Sequence, residues 1–548
     1  MLTSDRNLVQ LLTASLRAAP QATAFRCLGR RLRCQELEAL SDDFAHWLLH
    51  DCGLRPGERV AVQLPNLLQY PVVALGILKA RGVIVNVNPL YTPVEVRAQL
   101  ADSGARVLVV FANTAASAAS VIGATAVETV VVTQLGDLHG WPQRIILNLV
   151  ARRRSGAPPH FARGIGLREA LARGRTQRGA ALPEATPDDL AVLQYTGGTT
   201  GIAKGAMLTH RNLASNMLQL DGRLGEECPG QGAVMVAPLP LYHVYAFTMN
   251  FLLGLYKRHD TVLIPNPRDI DAFVGTLRRL RINGIVGITT LYRLLCEHPR
   301  FPQVDFSALR IASSGGMALS RQVAQAWEAR TGCRILEGYG LSECSPVVAC
   351  GSYRDYRFGS VGSALPDTEV CLKTPDGALA APGEAGELCV RGPQVMQGYW
   401  QRPEENARVF DAEGWLHTGD IATRDEAGRL CIVDRIKDVI IVSGFNVFPN
   451  EIEDHACTHP EITDACAIGV GDDCVVQIKL FVVSRSAALT PQEVIAHCRQ
   501  ALAGYKVPRL VEFRESLPKS NVGKVLRRQL REEQAAPSPE EPAVAAAP

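Results

Sequence analysis

The chain has 548 residues, a formal net charge of +2 and 20% charged residues. This length indicates three or four modules of ordinary domain size, and the near balance of charge argues against nucleic acid or a strongly acidic molecule as a partner. The 15 cysteines include no Cys-x-x-Cys pair, so we expect free thiols in a reducing cytosol. The sequence lacks the pattern of a signal peptide, and no apolar run is as long as a membrane span.

The first half of the chain alternates helical patterns with short runs of β-branched residues. Helices are predicted at 41–49 and 70–80, and strands at 59–64, 83–87 and 107–111. This alternation predicts an α/β architecture with mostly parallel sheets. The same pattern returns over 190–336, and the region 362–391, rich in Gly and Pro, predicts a small β subdomain.

A basic segment, residues 141–178, interrupts this pattern. The apolar stretch 141–150 precedes Arg152, Arg153 and Arg154, and the stretch 141–180 holds nine arginines and one acidic residue, Glu169. A solvated surface loop would have such a composition. So would a partly amphipathic patch that touches anionic lipid, where each cation adds roughly 1 kcal/mol. The residues leave both interpretations open.

The run 194–210 reads QYTGGTTGIAKGAMLTH and follows a predicted strand. Glycines let backbone N–H groups approach an anion, and hydroxyls and a lysine add donors and charge. The run differs from a Walker loop because Ala203 precedes Lys204 and Gly205 follows it. It therefore predicts a phosphate-binding loop of another kind. Its candidate binding residues are Tyr195, Thr196, Gly197, Gly198, Thr199, Thr200, Gly201 and Lys204.

This run and four later segments together resemble the signatures of the acyl-adenylate-forming ligases. The later segments are 337–343 (EGYGLSE), 414–420 (GWLHTGD), 434–453 and 518–524 (PKSNVGK). They follow the family's order from residue 194 to 524, and together they are very specific. Within the superfamily, the motifs are most similar to those of bacterial long-chain fatty acid–CoA ligases.

The resemblance implies two domains. The first, residues 1–436, would be a large N-terminal domain of layered α/β subdomains with a small β subdomain. The second, residues 437–534, would be a small mobile C-terminal α/β domain that pivots at Lys437. Its predicted elements are strands at 439–442, 465–470 and 476–483 and a helix at 491–503. The tail, 535–548, consists largely of Pro, Ala and Glu and is predicted to be disordered.

The resemblance also implies the residues that bind ATP and CoA. Tyr339 would stack on adenine, Asp420 would accept from the ribose hydroxyls, and Arg435 would contact ribose or phosphate. Ser342 stands where the family usually has Thr and can still donate to a phosphate. The remaining implied binding residues are Gly315, Gly316, Met317, Glu337, Gly338, Gly340, Lys437, Gly444 and Phe445.

Four residues are implied to be catalytic: Lys524, Glu343, His243 and Arg435. Lys524 would offset the charge of the α-phosphate under attack, and Glu343 would be the protein ligand of Mg²⁺. His243 would lie near the acyl carboxylate and the path of the thiol, although a lone histidine on an apolar segment is more often structural.

The implied activity is the conversion of a long-chain fatty acid, ATP and CoA into acyl-CoA, AMP and pyrophosphate. Its setting would be the cytoplasm or the inner face of the cell membrane. The alternatives are a fatty acyl-AMP ligase that loads a carrier protein, a medium-chain ligase, and a catalytically silent acyl- or nucleotide-binding protein. The uninterrupted spacing from Glu343 to Trp415 favours CoA. The segment 471–477 is shorter than in the family, and the sequence leaves acyl chain length and oligomeric state open.

Overall fold

The computed structural model describes residues 7–196, 203–442, 445–471, 476–520 and 523–535. Contacts within the chain divide it into two compact units. The first contains residues 1–370 and 389–417, and the second contains 371–388 and 418–548. The predicted boundary at 436/437 stays a prediction.

Helices occur throughout the first unit, between the strands of its sheets. They are α1 (Leu8–Ala18), α2 (Cys34–His50), α3 (Gln69–Lys79), α4 (Pro93–Ser103), α5 (Ala116–Ala119), α6 (Gln143–Ser155), α7 (Leu167–Arg175), α8 (His210–Leu224), α9 (Val244–Ala246), α10 (Leu253–Tyr256), α11 (Ile270–Leu277), α12 (Thr289–Glu297), α13 (Arg321–Thr331) and α14 (Pro403–Val409). A π-helical segment, Phe247–Leu252, joins α9 to α10. No helix in the described part of the chain is long and apolar enough to cross a membrane.

The strands from the N-terminus to residue 435 form three sheets. They are β1 (Thr23–Cys27), β2 (Arg30–Arg33), β3 (Arg59–Gln63), β4 (Val83–Asn86), β5 (Val107–Phe111), β6 (Thr129–Thr133), β7 (Gly164–Gly166), β8 (Leu190–Thr196), β9 (Lys204–Thr209), β10 (Val234–Ala237), β11 (Asp260–Leu263), β12 (Gly284–Gly287), β13 (Ile311–Gly315), β14 (Ile335–Gly340), β15 (Val347–Cys350), β16 (Ser363–Ala364), β17 (Glu369–Lys373), β18 (Gly386–Arg391), β19 (Leu416–Arg424) and β20 (Leu430–Arg435).

Two of these sheets are large and mostly parallel. The nine-stranded sheet has the order β16-β15-β14-β13-β12-β10-β11-β1-β2, and the seven-stranded sheet has the order β7-β6-β5-β3-β4-β8-β9. In both sheets the inner pairs are parallel and the antiparallel pairs lie at the ends. Parallel neighbours need crossover connections, which the helices supply. The predicted α/β fold class is confirmed.

Local sequence explains where α4 begins and ends. The Thr92 side chain accepts from the backbone of Glu95, and the Glu95 carboxylate accepts in return from the backbone of Thr92 at 2.8 Å. Pro93 occupies the first helical position, where its missing N–H costs nothing. Gly104 ends the helix at φ +58°, a left-handed conformation that favours glycine. Capping signals of this kind determine where the helices that connect the parallel strands begin and end.

The second unit has a small core of its own after residue 438. Its elements there are β21 (Ile440–Val442), β22 (Phe445–Val447), α15 (Pro449–Ala456), β23 (Ile462–Val470), β24 (Gln477–Ser484), α16 (Pro491–Arg499), β25 (Leu510–Phe513) and α17 (Arg527–Ala535). The three-stranded sheet β23-β24-β25 is covered by apolar residues of α15 and α16. The predicted strands are present, and the predicted helix at 491–503 ends earlier, at Arg499.

The region 362–391, predicted as a β subdomain, supplies β17 and β18 of a four-stranded sheet of order β17-β18-β19-β20. Its last two strands pair antiparallel, with Asp420 opposite Arg435. Residues 536–548, most of the predicted tail, lie outside the described residues.

Candidate active site

The hairpin of β8 and β9 carries the first group of predicted residues. The strands pair antiparallel, with Tyr195 opposite Gly205 and Thr196 opposite Lys204. One backbone ladder therefore fixes both ends of the predicted phosphate loop. The predicted loop residues Gly197, Gly198, Thr199, Thr200 and Gly201 lie outside the described residues. Their role in phosphate binding stays a prediction.

The side chain of Tyr195 is part of the core beneath this hairpin. Tyr195 is 8% exposed and packs in the apolar cluster of the seven-stranded sheet. Its hydroxyl donates to Asp102 Oδ2 at 2.6 Å, and Arg402 binds the other oxygen of Asp102. Burial raises the pKa of this hydroxyl, so it remains a donor. A contribution of Tyr195 to nucleotide binding must therefore come from its backbone.

Lys204 is held by two side chains from the segment that carries α14. Its Nζ lies 2.5 Å from Glu405 Oε2 and 5.5 Å from the ring centre of Tyr399. The hydrogen bond from Lys204 lowers the pKa of the Glu405 carboxyl. The carboxylate and the aromatic face both attract the ammonium group. A phosphate that binds Lys204 would therefore have to displace Glu405 or share the ammonium group with it.

The next group lies where two parallel strands end side by side. Gly315 of β13 lies opposite Gly338 of β14. A Cβ at Gly315 would be 3.3 Å from the ring of Tyr245 and from the carbonyl oxygen of Gly338, tighter than ordinary contact. Gly316 has φ +81° and Met317, half-buried, follows it. Gly315 and Gly338 are 23 positions apart in the sequence, and the sheet brings them together at one edge.

Glu337, Tyr339 and Gly340 extend along the same strand. The Glu337 carboxylate is buried and accepts from the Gly359 backbone at 2.8 Å, so it anchors a neighbouring loop. Tyr339 is half-buried. A Cβ at Gly340 would lie 2.1 Å from the carbonyl oxygen of Pro346, so only glycine fits there. The chain can then turn sharply beyond the strand.

That turn, Ser342–Cys344, presents Ser342 and Glu343. Glu343 is 8% exposed, and its Oε1 accepts from the Tyr399 hydroxyl at 2.6 Å. Burial and the nearby Glu343 charge raise the pKa of Tyr399, which keeps the hydroxyl protonated as a donor. Tyr399 therefore links Lys204, beside its ring, to Glu343, at its hydroxyl. A lysine, a carboxylate and a bridging tyrosine form one group in the first unit.

His243 lies at the start of α9, two residues before Tyr245. Burial lowers the pKa of His243 to about 4, so the imidazole is neutral at pH 7. Its Nδ1 accepts from the Tyr245 backbone at 3.4 Å, which leaves the proton on Nε2. The Tyr245 hydroxyl lies 3.2 Å from Ser313 Oγ of β13. His243 can accordingly donate a hydrogen bond from Nε2 but cannot supply charge.

In the second unit, Asp420 and Arg435 face each other across β19 and β20. Arg435 Nε lies 3.1 Å from Asp420 Oδ1. Asp420 is 6% exposed, whereas the Arg435 side chain is 39% exposed. The buried carboxylate can accept from hydroxyl groups, and the guanidinium can bind an anion. The fold brings both predicted residues together, and their role in nucleotide binding stays a prediction.

Lys524 belongs to the same charged group of the second unit. Burial, and then the neighbouring Arg435, lower the pKa of Lys524 to about 8, and Asp420 opposes part of this effect. The turn that carries Lys524 is closed by Ser520, whose N–H donates to the Lys524 carbonyl at 2.7 Å and whose Oγ accepts from the Lys524 N–H at 3.2 Å. Lys524 is therefore a desolvated lysine on a defined turn.

The predicted pivot residue, Lys437, is exposed on the short 3₁₀ turn Ile436–Asp438. On its N-terminal side, the buried Asp434 accepts from the backbone of Arg435 at 2.8 Å and of Asn450 at 2.9 Å. Lys437 thus follows a rigidly anchored residue, which is where a change of backbone direction can be localised.

Asp438, the residue after Lys437, forms ion pairs with two arginines of α17. Arg531 of α17 lies 3.0 Å from Asp438 Oδ1, and Arg527 lies 3.6 Å from Oδ2. Arg527 also binds Glu453 at 2.7 Å. We call these four residues the α17 clasp. It ties the segment after the predicted pivot to the helix that follows the Lys524 turn.

Phe445, predicted to border the thiol channel, is 57% exposed. Its ring stacks on Tyr505 at a centroid distance of 4.9 Å. Gly444, its predicted neighbour in that role, lies outside the described residues. Their role in CoA binding stays a prediction.

Sequence reasoning missed Tyr399, Glu405 and Asp102. Tyr399 and Glu405 lie between the motifs at 337–343 and 414–420, in a stretch without a recognised signature. The sequence offers only their residue types as a signal. A tyrosine hydroxyl can pair with the predicted Glu343, and an acidic side chain can pair with the predicted Lys204. Only the fold shows which of many such residues does so.

The fold and the two groups of charged residues define an adenylate-forming enzyme. The model of the AMP-binding enzyme family matches residues 12–400, and that of the AMP-binding enzyme C-terminal domain matches 451–524. The chain belongs to the AMP-binding enzyme family.

Relatives match over nearly the whole chain. The long-chain-fatty-acid–CoA ligase of Escherichia coli O157:H7 is 46% identical, covering 96% of this chain and 94% of its own length. The enzyme of that name from Bacillus subtilis is 35% identical, with coverages of 97% and 95%. Among solved structures, the ATP-bound RpMatB-BxBclM chimera B3 superposes with a TM-score of 0.84 at 29% identity, covering 97% of this chain and 99% of the chimera.

Proposed function

We propose that this protein joins long-chain fatty acids to CoA at the expense of ATP, through an acyl-AMP intermediate. The observation that carries the proposal is the 46% identity over 96% of the chain to a long-chain-fatty-acid–CoA ligase. Each unit holds a group suited to this reaction. The first offers a cation for phosphates, and the second offers a buried carboxylate for ribose and a desolvated lysine.

In the first half-reaction the fatty carboxylate attacks the α-phosphorus of ATP and pyrophosphate leaves. Lys204, with the loop from Thr196 to residue 201, holds the β- and γ-phosphates. Asp420 accepts from the ribose hydroxyls, and Ser342 donates to the α-phosphate. The backbone beside Gly315 and Gly338 borders adenine, with Tyr339 stacked on the base. Lys524 donates to the oxygens of the pentavalent phosphorus, where a preorganised donor contributes most.

Glu343 is the protein ligand that we propose for Mg²⁺. A carboxylate oxygen is a hard donor of the type that Mg²⁺ selects, and Mg²⁺ usually takes its other ligands from phosphates and water. The hydrogen bond from Tyr399 orients this carboxylate. When bound, the ion would neutralise charge on the phosphates.

In the second half-reaction the CoA thiolate attacks the acyl carbonyl, a thioester forms and AMP leaves. The neutral His243 can donate from Nε2 to a polar atom near that carbonyl, and Phe445 borders the path of the pantetheine arm. Lys524 has no role in this step and must be withdrawn. One C-terminal domain, 437–534, serves both steps if it turns about Lys437.

The protein acts in the cytoplasm and, we infer, touches the inner face of the cell membrane through segment 141–178. Fatty acids partition into bilayers, so a ligase at the surface meets its substrate there. The nine arginines between 141 and 180 favour anionic lipid.

The decisive experiment follows both products from purified protein given acids of graded chain length, with and without CoA. We expect pyrophosphate release with each long-chain acid and acyl-CoA only when CoA is present, as read by mass spectrometry. Acyl-AMP that accumulates despite CoA would support the carrier-protein alternative. Faster turnover of acetate or aryl acids would overturn the proposed substrate class, and faster turnover of eight- to ten-carbon acids would favour the medium-chain ligase.

A further inference from the structure

Helix α6 exposes an apolar side to solvent. Trp141, just before the helix, is 77% exposed, and Ile145, Ile146, Leu149 and Val150 are 51%, 57%, 49% and 43% exposed. These positions recur at helical spacing and form one apolar stripe. A helix on the surface of a protein in water normally turns such a stripe toward the core, and a contiguous exposed stripe marks a contact surface. We call these five residues the α6 face.

The opposite side of α6 is fixed by specific bonds, so the helix cannot simply roll over. Asn148 Oδ1 accepts from the Gly136 backbone at 2.6 Å, and Asn113 donates to the carbonyl oxygen of Ala151 at 3.3 Å. Ala151 is buried. A Cβ at Gly136 would lie 2.6 Å from the carbonyl oxygen of Arg144, so the helix sits directly on this loop. The outward direction of the α6 face is therefore part of the fold.

The turn between β1 and β2 extends this surface. Gln143, the first residue of α6, donates from Nε2 to the carbonyl oxygen of Leu28 at 2.9 Å. Leu28 itself is 42% exposed at φ +47°. Arg31 and Arg33 follow on β2 and are exposed. An apolar side chain thus lies beside the start of the helix, and two exposed cations follow it along β2.

The cations of α6 differ from those of α7 in the same basic segment. Arg152 and Arg153 are exposed at the C-terminal end of α6, and within the described residues neither forms an ion pair. In contrast, Arg173 of α7 pairs with Glu169 at 2.6 Å, and Arg178 pairs with Asp43. The side of α7 that carries Leu171 is buried. Arg168 and Arg175 of α7 are exposed as well, but among the described residues no exposed apolar stripe lies beside them. Exposed cations and an exposed apolar stripe therefore occur together at α6.

We propose that the α6 face, with Leu28, inserts shallowly into the surface of an anionic bilayer while Arg31, Arg33, Arg152 and Arg153 bind lipid phosphates. An exposed apolar stripe flanked by arginines is the pattern of helices that lie in the membrane interface, buried by about 5–10 Å. Tryptophan favours that depth. The inference narrows the membrane contact proposed for 141–178 to one face and adds the β1–β2 turn.

The test uses the full-length protein and vesicles of phosphatidylcholine with or without phosphatidylglycerol. We expect wild type to co-sediment with the anionic vesicles, less so at high salt. The double variant Ile146→Gln/Leu149→Gln should lower the bound fraction about tenfold. Arg152→Gln/Arg153→Gln should remove the preference for the anionic vesicles. The matched control on α7, Arg173→Gln/Arg175→Gln, should bind like wild type. Unchanged melting curves and unchanged thioester formation in detergent solution would verify that each variant is folded.

Three results would overturn the inference, each in a different way. Absence of vesicle binding by wild type would remove the membrane contact altogether. Wild-type binding by Ile146→Gln/Leu149→Gln, together with weaker binding by Arg173→Gln/Arg175→Gln, would place the membrane contact elsewhere in 141–178. A wild-type dimer in sedimentation velocity that the α6 variant abolishes would assign the face to a second copy of the chain. The ligase proposal is unaffected in all three cases, because it is tested by product formation without vesicles.

Discussion

Lys204 and Lys524 are both assigned to phosphate groups, yet their surroundings are opposite. Lys204 lies 2.5 Å from Glu405 and beside the Tyr399 ring, so its charge is compensated. Lys524 is half-buried near Arg435, and its pKa falls to about 8. Desolvation disfavours the charged form of a lysine, so Lys524 lies closer to losing its proton at neutral pH than a fully solvated lysine does.

The difference indicates a division of labour. A cation that already has a partner gains little from the transition state and is suited to holding ATP in the ground state. A cation in unfavourable surroundings gains most when negative charge appears beside it. Only interactions that strengthen in the transition state raise the rate of the chemical step. We therefore expect substitutions at Lys524 to affect rate and substitutions around Lys204 and Glu343 to affect binding of ATP and metal.

The largest effect is expected from Lys524→Ala. Acyl-AMP formation should fall by about 10²–10³, since one preorganised donor at the reacting phosphate is lost. Conversion of supplied acyl-AMP into acyl-CoA should be nearly unchanged. Pyrophosphate release and thioester formation are measured separately. Lys519→Ala is the matched control, because Lys519 lies on the same segment and pairs with Asp464. An equal loss in both half-reactions would refute the assignment.

Glu343→Gln should act on metal dependence. The Mg²⁺ concentration for half-maximal pyrophosphate release should rise by about 10–100-fold, and Tyr399→Phe should raise it by about tenfold because the carboxylate loses its orienting hydrogen bond. Titration with Mg²⁺ at saturating ATP gives both values. A lowered maximal rate with an unchanged Mg²⁺ requirement would contradict the role of Glu343 as metal ligand.

Lys437→Pro tests the pivot. Proline fixes φ near about −65°, so the backbone change that the second step needs should be blocked. We expect acyl-AMP formation to remain and thioester formation to fall about tenfold, equivalent to about 1.4 kcal/mol in the barrier. Lys437→Ala should turn like wild type, since the pivot depends on backbone freedom and its side chain is exposed. Normal acyl-CoA formation by the proline variant would end the pivot hypothesis.

The smallest effect is a pH dependence of the first half-reaction. Lys524 carries its charge below a pKa of about 8, so acyl-AMP formation should be halved near pH 8 and decline further above it. Lys524→Arg should remove this decline, because arginine stays protonated. Rates from pH 6.5 to 9.5 check the prediction, and an identical decline in the arginine variant would assign it to another group.

The contribution of Lys524 to the free energy of unfolding should rise with pH, whereas the rate of acyl-AMP formation should fall. The folded pKa of about 8 lies below the ordinary lysine pKa of 10.5, so between these values the unfolded chain binds more protons and the stability contributed by this group rises with pH. Lys524→Met should therefore melt at a higher temperature than wild type at pH 7, and the difference should shrink above pH 8. Loss of rate together with gain of stability would distinguish a catalytic lysine from a structural one.

The sequence predicted the elements around the site better than the partners within it. The strands β3, β4 and β5 follow from the β-branched runs predicted at 59–64, 83–87 and 107–111, and such runs are local signals. The contact of Tyr399 with Glu343 joins residues 56 positions apart, and no local pattern encodes it. Tyr195 shows the opposite error. It lies inside a predicted binding motif, yet its side chain packs in the core.

The α6 segment illustrates another limit of sequence reasoning. Its apolar spacing fits a helix, but the spacing cannot tell whether the stripe faces the core or the solvent. That choice depends on Asn148, Gly136 and Asn113, whose contacts come from other parts of the fold. The sequence therefore left a loop and a lipid-binding patch as equal alternatives.

The α17 clasp has a practical consequence for anyone who modifies this protein. Arg527 and Arg531 are the counter-ions of Asp438, and Arg527 also neutralises Glu453. Truncation ahead of Arg527 would leave buried carboxylates without a counter-ion, a change that typically costs several kcal/mol. Affinity tags, fluorophores and fusion partners are therefore better attached beyond residue 535 than spliced into α17, where they would loosen the segment next to the pivot.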